Sequence, residues 1–336
     1  MSVTPSPGAP GDAVERVVLG NGLTVLLRRD ASAPVIAIVT HVKAGYFDES
    51  DDVVGVAHVL EHMYFKGTPT RGPGEIARDT KAAGGYLNAG TIYDRTSYYT
   101  VLPASNFEAG LAVQADAFAN SLIDANELAR ELEVIVEEES RKRDTASAVA
   151  TEECYALLHD VHRMRRWRMG TAEGLRRLTR GDVWSFYRSH YVPSNTILSV
   201  VGDIDPDHAL AQIDALYGAL PAARAPRDRG SAEPPSAEFR WRDLVRDVGQ
   251  AQFVLGWRTV APSHADAPSL DIAAALLGAG RASRLHREVR ERSLASVVGA
   301  YHYTPTELGV LAVAAATPPD GLRPAAQAVW NEVRAL

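Results

Sequence analysis

Two hydrophobic periods run along this chain, and they assign most of its elements. Residues 14–19 and 23–28 are β-rich runs separated by Gly20-Asn21-Gly22, a hairpin signal. Residues 34–42 form a strongly apolar, β-branched run that predicts a central strand. Residues 55–65 carry apolar side chains at helical spacing and stop at Gly67, and 74–83 predict a second helix ended by Gly84-Gly85. A strand is predicted at 96–102 and an amphipathic helix at 106–121. Residues 126 to about 159 read as one long charged helix with a single apolar face. The pattern then predicts a helix at 175–190, a strand at 196–201 closed by Gly202-Asp203, and a helix at 207–216.

The pattern breaks at 221–238, which holds Pro221, Pro226, Pro234 and Pro235 and has no apolar period. It predicts a semi-extended linker between a first domain at 13–220 and a second at 239–336. Residues 1–12 are rich in Pro, Gly, Ser and Ala, and are expected to be a flexible tail and not a signal peptide. The second domain reads as a partial copy of the first. Residues 250–260 match 34–42, and 308–316 followed by Thr317-Pro318 match 96–102 followed by Pro103. Each of the latter pair precedes a helix, and the copy ends at the equivalent of Ser121. The fold class expected is α+β, with tandem related domains, each a mostly antiparallel sheet packed with helices. The second domain is expected to be truncated and the chain a fragment of a longer protein.

Composition narrows the function. The 336 residues are 46% hydrophobic and 23% charged, which excludes global disorder. The net charge of −7 disfavours a general nucleic-acid binder, so the basic run at 163–168 reads as a solvated loop. A single cysteine, Cys154, excludes an internal disulfide and a thiolate-dominated zinc site, and reads as a small core residue. No apolar run approaches the roughly 18 residues that span a bilayer, so no membrane segment is expected. The expected location is cytoplasmic, or periplasmic if a leader has been removed.

His58 and His62 stand at i and i+4 of the helix predicted at 55–65, on one face, where both imidazoles can reach one metal ion. Glu61 flanks that face and can approach a metal-bound water without being a ligand. Zinc set up for catalysis needs a third protein ligand and an open position. The long helix offers Glu131 and Glu138, two turns apart beside Leu128, Leu132 and Ile135, where a core-facing carboxylate needs a partner. Glu137 and Glu139 are rotated to either side and are expected to face solvent. His41, His159, His162 and His190 read as structural or surface histidines.

These residues reach a family. The chain resembles the pitrilysin/insulysin family of zinc metallopeptidases, the inverzincins, with their H-x-x-E-H motif. The resemblance is carried by GVAHVLEHM at 55–63, Phe65-Lys66-Gly67-Thr68, Gly84-Gly85 with Asn88-Ala89-Gly90-Thr91, and Asp94-Arg95-Thr96 with Tyr98-Tyr99. It continues in EVIVEE at 133–138, in Tyr191-Val192-Pro193 followed by Val201-Gly202-Asp203, and in GRASRL at 280–285. It implies one zinc ion held by His58, His62 and Glu138, since the family spacing to its third ligand falls on Glu138. It further implies Glu61 as general base and Glu131 as a residue that orients a histidine. An extended peptide substrate would pair with an edge strand at 86–91, giving binding roles to Asn88 and Ala89. The family completes its site with an Arg and a Tyr from a later domain. Here Arg290 fits, but the segment is one residue shorter and Ser296 stands where Tyr would.

The resemblance therefore implies a zinc endopeptidase that hydrolyses peptides or unfolded segments. The missing Tyr implies a completing pair from the missing C-terminal half or from a homologous partner chain. The rival expectation is a non-catalytic or partner-dependent peptide-binding subunit of a larger peptidase complex. No nucleic-acid or membrane partner is expected.

Overall fold

Gly22 and Asn21 turn the chain back on itself at the first hairpin. Gly22 takes φ 92°, which favours glycine, and the Asn21 side chain donates to Tyr217 O at 2.7 Å. In the computed structural model, which describes residues 14–336, the flanking runs are β1 (Glu15–Val18) and β2 (Thr24–Arg29). There follow β3 (Val35–Val42), α1 (Val56–Met63), α2 (Glu75–Ala82), β4 (Tyr86–Thr91), β5 (Thr96–Pro103), α3 (Phe107–Asn120) and α4 (Ala125–Asp144). Next come α5 (Ala146–Leu158), α6 (Ala172–Arg177), α7 (Arg180–His190), β6 (Thr196–Gly202), α8 (Pro206–Tyr217) and β7 (Ala251–Thr259). The chain closes with α9 (Ala267–Gly278), β8 (Val297–Tyr303), β9 (Gly309–Thr317) and α10 (Leu322–Arg334). The tail expected at 1–12 lies outside the described residues.

The first compact unit runs to Glu137 and resumes at Arg168–Arg229. Its six-stranded sheet has the order β1-β2-β6-β3-β5-β4, antiparallel except where β2 runs parallel to β6. β3 buries alternate residues Ile36, Ile38, Thr40 and Val42, the period that puts one sheet face on a helical layer. α3 lies across β3 and β5. Gln114 pins it there: it accepts from Thr40 Oγ1 at 2.6 Å, and its amide donates to Ile38 O at 3.1 Å and Thr100 Oγ1 at 2.9 Å. All three side chains are buried, so each polar group needs these partners. β4 closes the sheet on one side and pairs only with β5, leaving an open strand edge.

The second unit comprises Glu138–Trp167 and Gly230–Leu336. Its sheet has the order β7-β9-β8, antiparallel throughout. β7 pairs with β9 as β3 pairs with β5, in line with the repeat read from the sequence. The second division thus falls at 229/230, within the expected linker at 221–238, and residues 138–167 also fall with the second unit. The physical reason is α5, which packs on β7. A Cβ on Gly256 of β7 would meet Cys154 Sγ at 2.5 Å and Leu158 Cδ1 at 3.0 Å, so glycine and a small buried cysteine are matched across that contact. The second half of the linker is also clipped to α5 and the turn after it. Arg240 binds Asp160 through two nitrogens at 2.6 and 2.9 Å, and Glu233 accepts from the amides of Asp160, Val161 and His162. Gly256→Ala is expected to cost about 1–3 kcal/mol through overpacking, read as a lower melting temperature. Adding Cys154→Ala should recover part of that loss. A Gly256→Ala chain as stable as the parent would refute the tight contact.

Two helices and one side chain differ from expectation. The long helix predicted at 126–159 is two, α4 and α5, because Thr145 is extended (φ −87°, ψ 103°). The basic run Arg141, Lys142 and Arg143 suits the C-terminus of α4, and Thr145 Oγ1 donates to Arg141 O. The helix predicted at 175–190 is likewise two. Thr179 caps α7 in a reciprocal pair with Asp182: the Thr179 hydroxyl accepts from Asp182 N at 3.2 Å and the Asp182 carboxylate accepts from Thr179 N at 2.8 Å. Glu139, expected in solvent, is 2% exposed and paired with Arg143 one turn on. It continues the buried stripe of Leu128, Leu132 and Ile135, whereas Glu137 is exposed as expected.

Candidate metal centre

α1 carries the two histidines, and its start is held by an acidic side chain distant in the local pattern. Gly55 enters the helix at φ 97°, and a Cβ there would lie 2.5 Å from Met169 O, so only glycine fits. Glu49, fully buried, accepts from Gly55 N at 3.0 Å and Ala57 N at 2.9 Å. A carboxylate at these first-turn amides complements the positive end of the helix. Val56, Val59, Leu60 and Met63 face the core, which turns His58, Glu61 and His62 to the other side. The His58 and His62 rings stand 4.8 Å apart, nearly perpendicular.

α4 supplies the carboxylates. Asp124 caps it by accepting from Asn126 N and Glu127 N at 2.9 and 3.0 Å. One ligand atom each from His58, His62 and Glu138 lie within 4.8 Å of one another. Among the described residues this is the group of three His, Cys, Asp or Glu side chains that can hold a metal ion. Ligands about 2.0–2.2 Å from a common tetrahedral zinc stand roughly 3.4 Å apart, so small side-chain rotations close the set. Two imidazoles and one carboxylate, partly buried, also suit zinc in kind. The residues therefore fit the ion.

Glu131 is 8% exposed and divides its two oxygens. Oε2 lies 3.1 Å from His62 Nδ1, and Oε1 lies 2.5 Å from Lys66 Nζ. With a carboxylate on Nδ1, His62 carries its proton there and turns Nε2 outward as an acceptor. Burial alone raises the Glu131 pKa, but the bonds from Lys66 and His62 outweigh it and hold the carboxyl below its usual range. Glu61 stands beside the ligand set and outside it. Its Oε2 accepts from Thr91 Oγ1 at 2.5 Å, at the end of β4. Behind it, the hydroxyls of Tyr98 and Tyr191 meet at 2.6 Å in the core. Burial raises both phenols, and the Glu61 charge adds to the rise, so both stay neutral.

Asn88 and Ala89 lie on the open-edged β4, with Asn88 exposed and its Oδ1 accepting from Ala89 N at 2.8 Å. Arg290 lies in the second unit, exposed at the end of the helical turn His286–Arg290. Ser296 donates its hydroxyl to Ala316 O at 3.1 Å. His41 bonds Ser97, His159 and His190 bond backbone carbonyls, and His162 meets Glu307. In the basic run, Lys142 and Arg143 each lie over the Trp167 ring, and Arg168 lies over Tyr93. Sequence reasoning assigned no role to Glu49, Lys66 or Thr91. Lys66 had a usable signal, four residues after His62 and just past the end of α1; the contacts of Glu49 and Thr91 depend on tertiary structure.

A family model described as "Insulinase (Peptidase family M16)" matches residues 24–171, and one described as "Peptidase M16 inactive domain" matches 177–336. An "Uncharacterized zinc protease" of Mycobacterium bovis is 30% identical over 324 residues, covering 94% of this chain and 73% of the relative. A protein of Arabidopsis thaliana named "Probable mitochondrial-processing peptidase subunit beta, mitochondrial" is 27% identical over 331 residues, covering 95% of this chain and 62% of the relative. The crystal structure of a protease from Helicobacter pylori has a TM-score of 0.89 at 25% identity, covering 93% of this chain and 77% of that one. Fold and motif together define a peptidase-type α+β protein of two related units. The chain belongs to peptidase family M16, the insulinase family, whose relatives are named zinc proteases. No helix among the described residues is long and apolar enough to cross a membrane.

Proposed function

We propose that this chain is a zinc endopeptidase acting on peptides or unfolded segments. The observation that carries the reading is the convergence of His58, His62 and Glu138 from two helices, with Glu61 beside them. These three residues would hold the ion, and Glu131 orients His62. When bound, zinc acts as a Lewis acid that polarises a peptide carbonyl and makes water acidic enough to attack near neutral pH. Glu61, steadied by Thr91, takes the proton of the attacking water as the new C–O bond forms. It returns that proton to the leaving amine as the C–N bond breaks. An extended substrate would pair with the open edge of β4 at Asn88 and Ala89, so main-chain bonds give affinity with modest sequence demand.

A second reading has its own support. Residues 177–336 match a model described as an inactive domain, and Ser296 stands where the resemblance calls for Tyr. In that reading the chain works with a homologous partner that supplies the completing Arg–Tyr pair, and Arg290 does not act alone.

The test is zinc content of the purified chain, followed by turnover of an unstructured peptide before and after a chelator, with and without a homologous chain. Zinc binding with chelator-sensitive cleavage is expected. Cleavage only in the presence of the second chain would select the partner-dependent reading. A chain that takes up no zinc would exclude both.

A further inference from the structure

Lys66 follows His62 by four residues, in the turn that leaves α1, and the two side chains meet on opposite oxygens of one carboxylate. Nζ lies 2.5 Å from Glu131 Oε1 while His62 Nδ1 lies 3.1 Å from Oε2. The Glu131 side chain is 11% exposed and that of Lys66 29%, so neither contact is a loose surface pair. A carboxylate bound at one oxygen rotates about its terminal bond at little cost, because that torsion is broad. Bound at both oxygens by groups on one short stretch of chain, its plane is set.

We propose that Lys66 is a positioning residue of the metal centre: by holding Oε1 of Glu131 it sets the plane of that carboxylate, and thereby the ring orientation and Nδ1–H tautomer of His62. The proposal rests on the reading of His58, His62 and Glu138 as zinc ligands. It also predicts a sign that simple charge repulsion does not. A lysine cation near a dication raises the energy of the bound state, so removing it should tighten zinc binding if charge alone mattered. If Lys66 acts through Glu131, removing it should loosen zinc.

Zinc affinity of the 336-residue chain, measured by competition with a chromophoric chelator, separates the two. Lys66→Met is expected to weaken zinc about 10-fold, the low end of the ~10–100-fold cost of losing an outer partner of a metal ligand. Lys66→Arg, which keeps a donor within reach of Oε1, should stay close to the parent. In a Glu131→Gln background, Lys66→Met should add nothing further. The melting temperature of the zinc-free protein should fall by only a few degrees, since Glu131 loses one partner while Met keeps the aliphatic stem; if Lys66→Met fails to fold, Lys66→Gln takes its place. Parent-like or tighter binding by Lys66→Met overturns the proposal, as does an equal loss in the Glu131→Gln background. A parent chain that binds no zinc fails earlier, at the ligand reading itself.

Discussion

Glu61→Gln is expected to keep its zinc and lose peptide hydrolysis by about 10²–10⁴-fold, the usual cost of removing a general base. The substitution is close to isosteric. The Gln carbonyl oxygen can still accept from Thr91 Oγ1, so the side chain should stay where Glu61 is held. What it loses is the capacity to take up a proton. If Glu61 were instead a ligand, the same change would lower zinc content along with turnover. Zinc stoichiometry and turnover of an unstructured peptide, measured on one preparation, therefore separate base from ligand. Undiminished turnover in the variant would sink the mechanism.

The legible part of this centre is the part written within single elements. His58 and His62 share one helix face, so an i, i+4 spacing on a mostly apolar stretch was enough to pair them. The pattern also found the hairpin, the central strand and the matched strands of the repeat, because alternation and turn residues are local. The two helix breaks had local signals that periodicity overrode. Thr179-x-x-Asp182 is a capping box, yet apolar spacing continues across it. β8 was not foreseen, and its burial explains why: Val297–Tyr303 is half-buried along almost its whole length, with no clean alternation to read. The bonds from Thr91 to Glu61, from Glu49 to the start of α1 and from Glu131 to His62 join groups that no short window contains. Glu131 was singled out by its place on the core-facing side of the long helix, its histidine-orienting role came only through the family resemblance, and the other two bonds were not reached.

Three neighbouring glutamates on α4 should give three different phenotypes, and this is the sharpest test of the ligand assignment. Helix phase alone does not choose among them. Glu138 is three residues and Glu139 four residues beyond the buried Ile135, and either offset keeps a side chain near the same face. The surroundings choose instead. Glu139 is 2% exposed and paired with Arg143, while Glu138 is half-buried with an oxygen among the imidazole nitrogens of His58 and His62. Glu138→Gln is therefore expected to weaken zinc by more than the ~10–100-fold that loss of an outer partner costs, since it removes a ligand charge. Glu139→Gln should leave zinc in place and cost about 1–3 kcal/mol of stability. That is less than a fully buried pair would cost, because the Arg143 side chain is 41% exposed. Glu137→Gln, at an exposed position, should change neither. Chelator competition reads the metal and thermal unfolding of the zinc-free chain reads the stability. Zinc lost from Glu139→Gln but retained by Glu138→Gln would mean that α4 presents the other carboxylate to the metal.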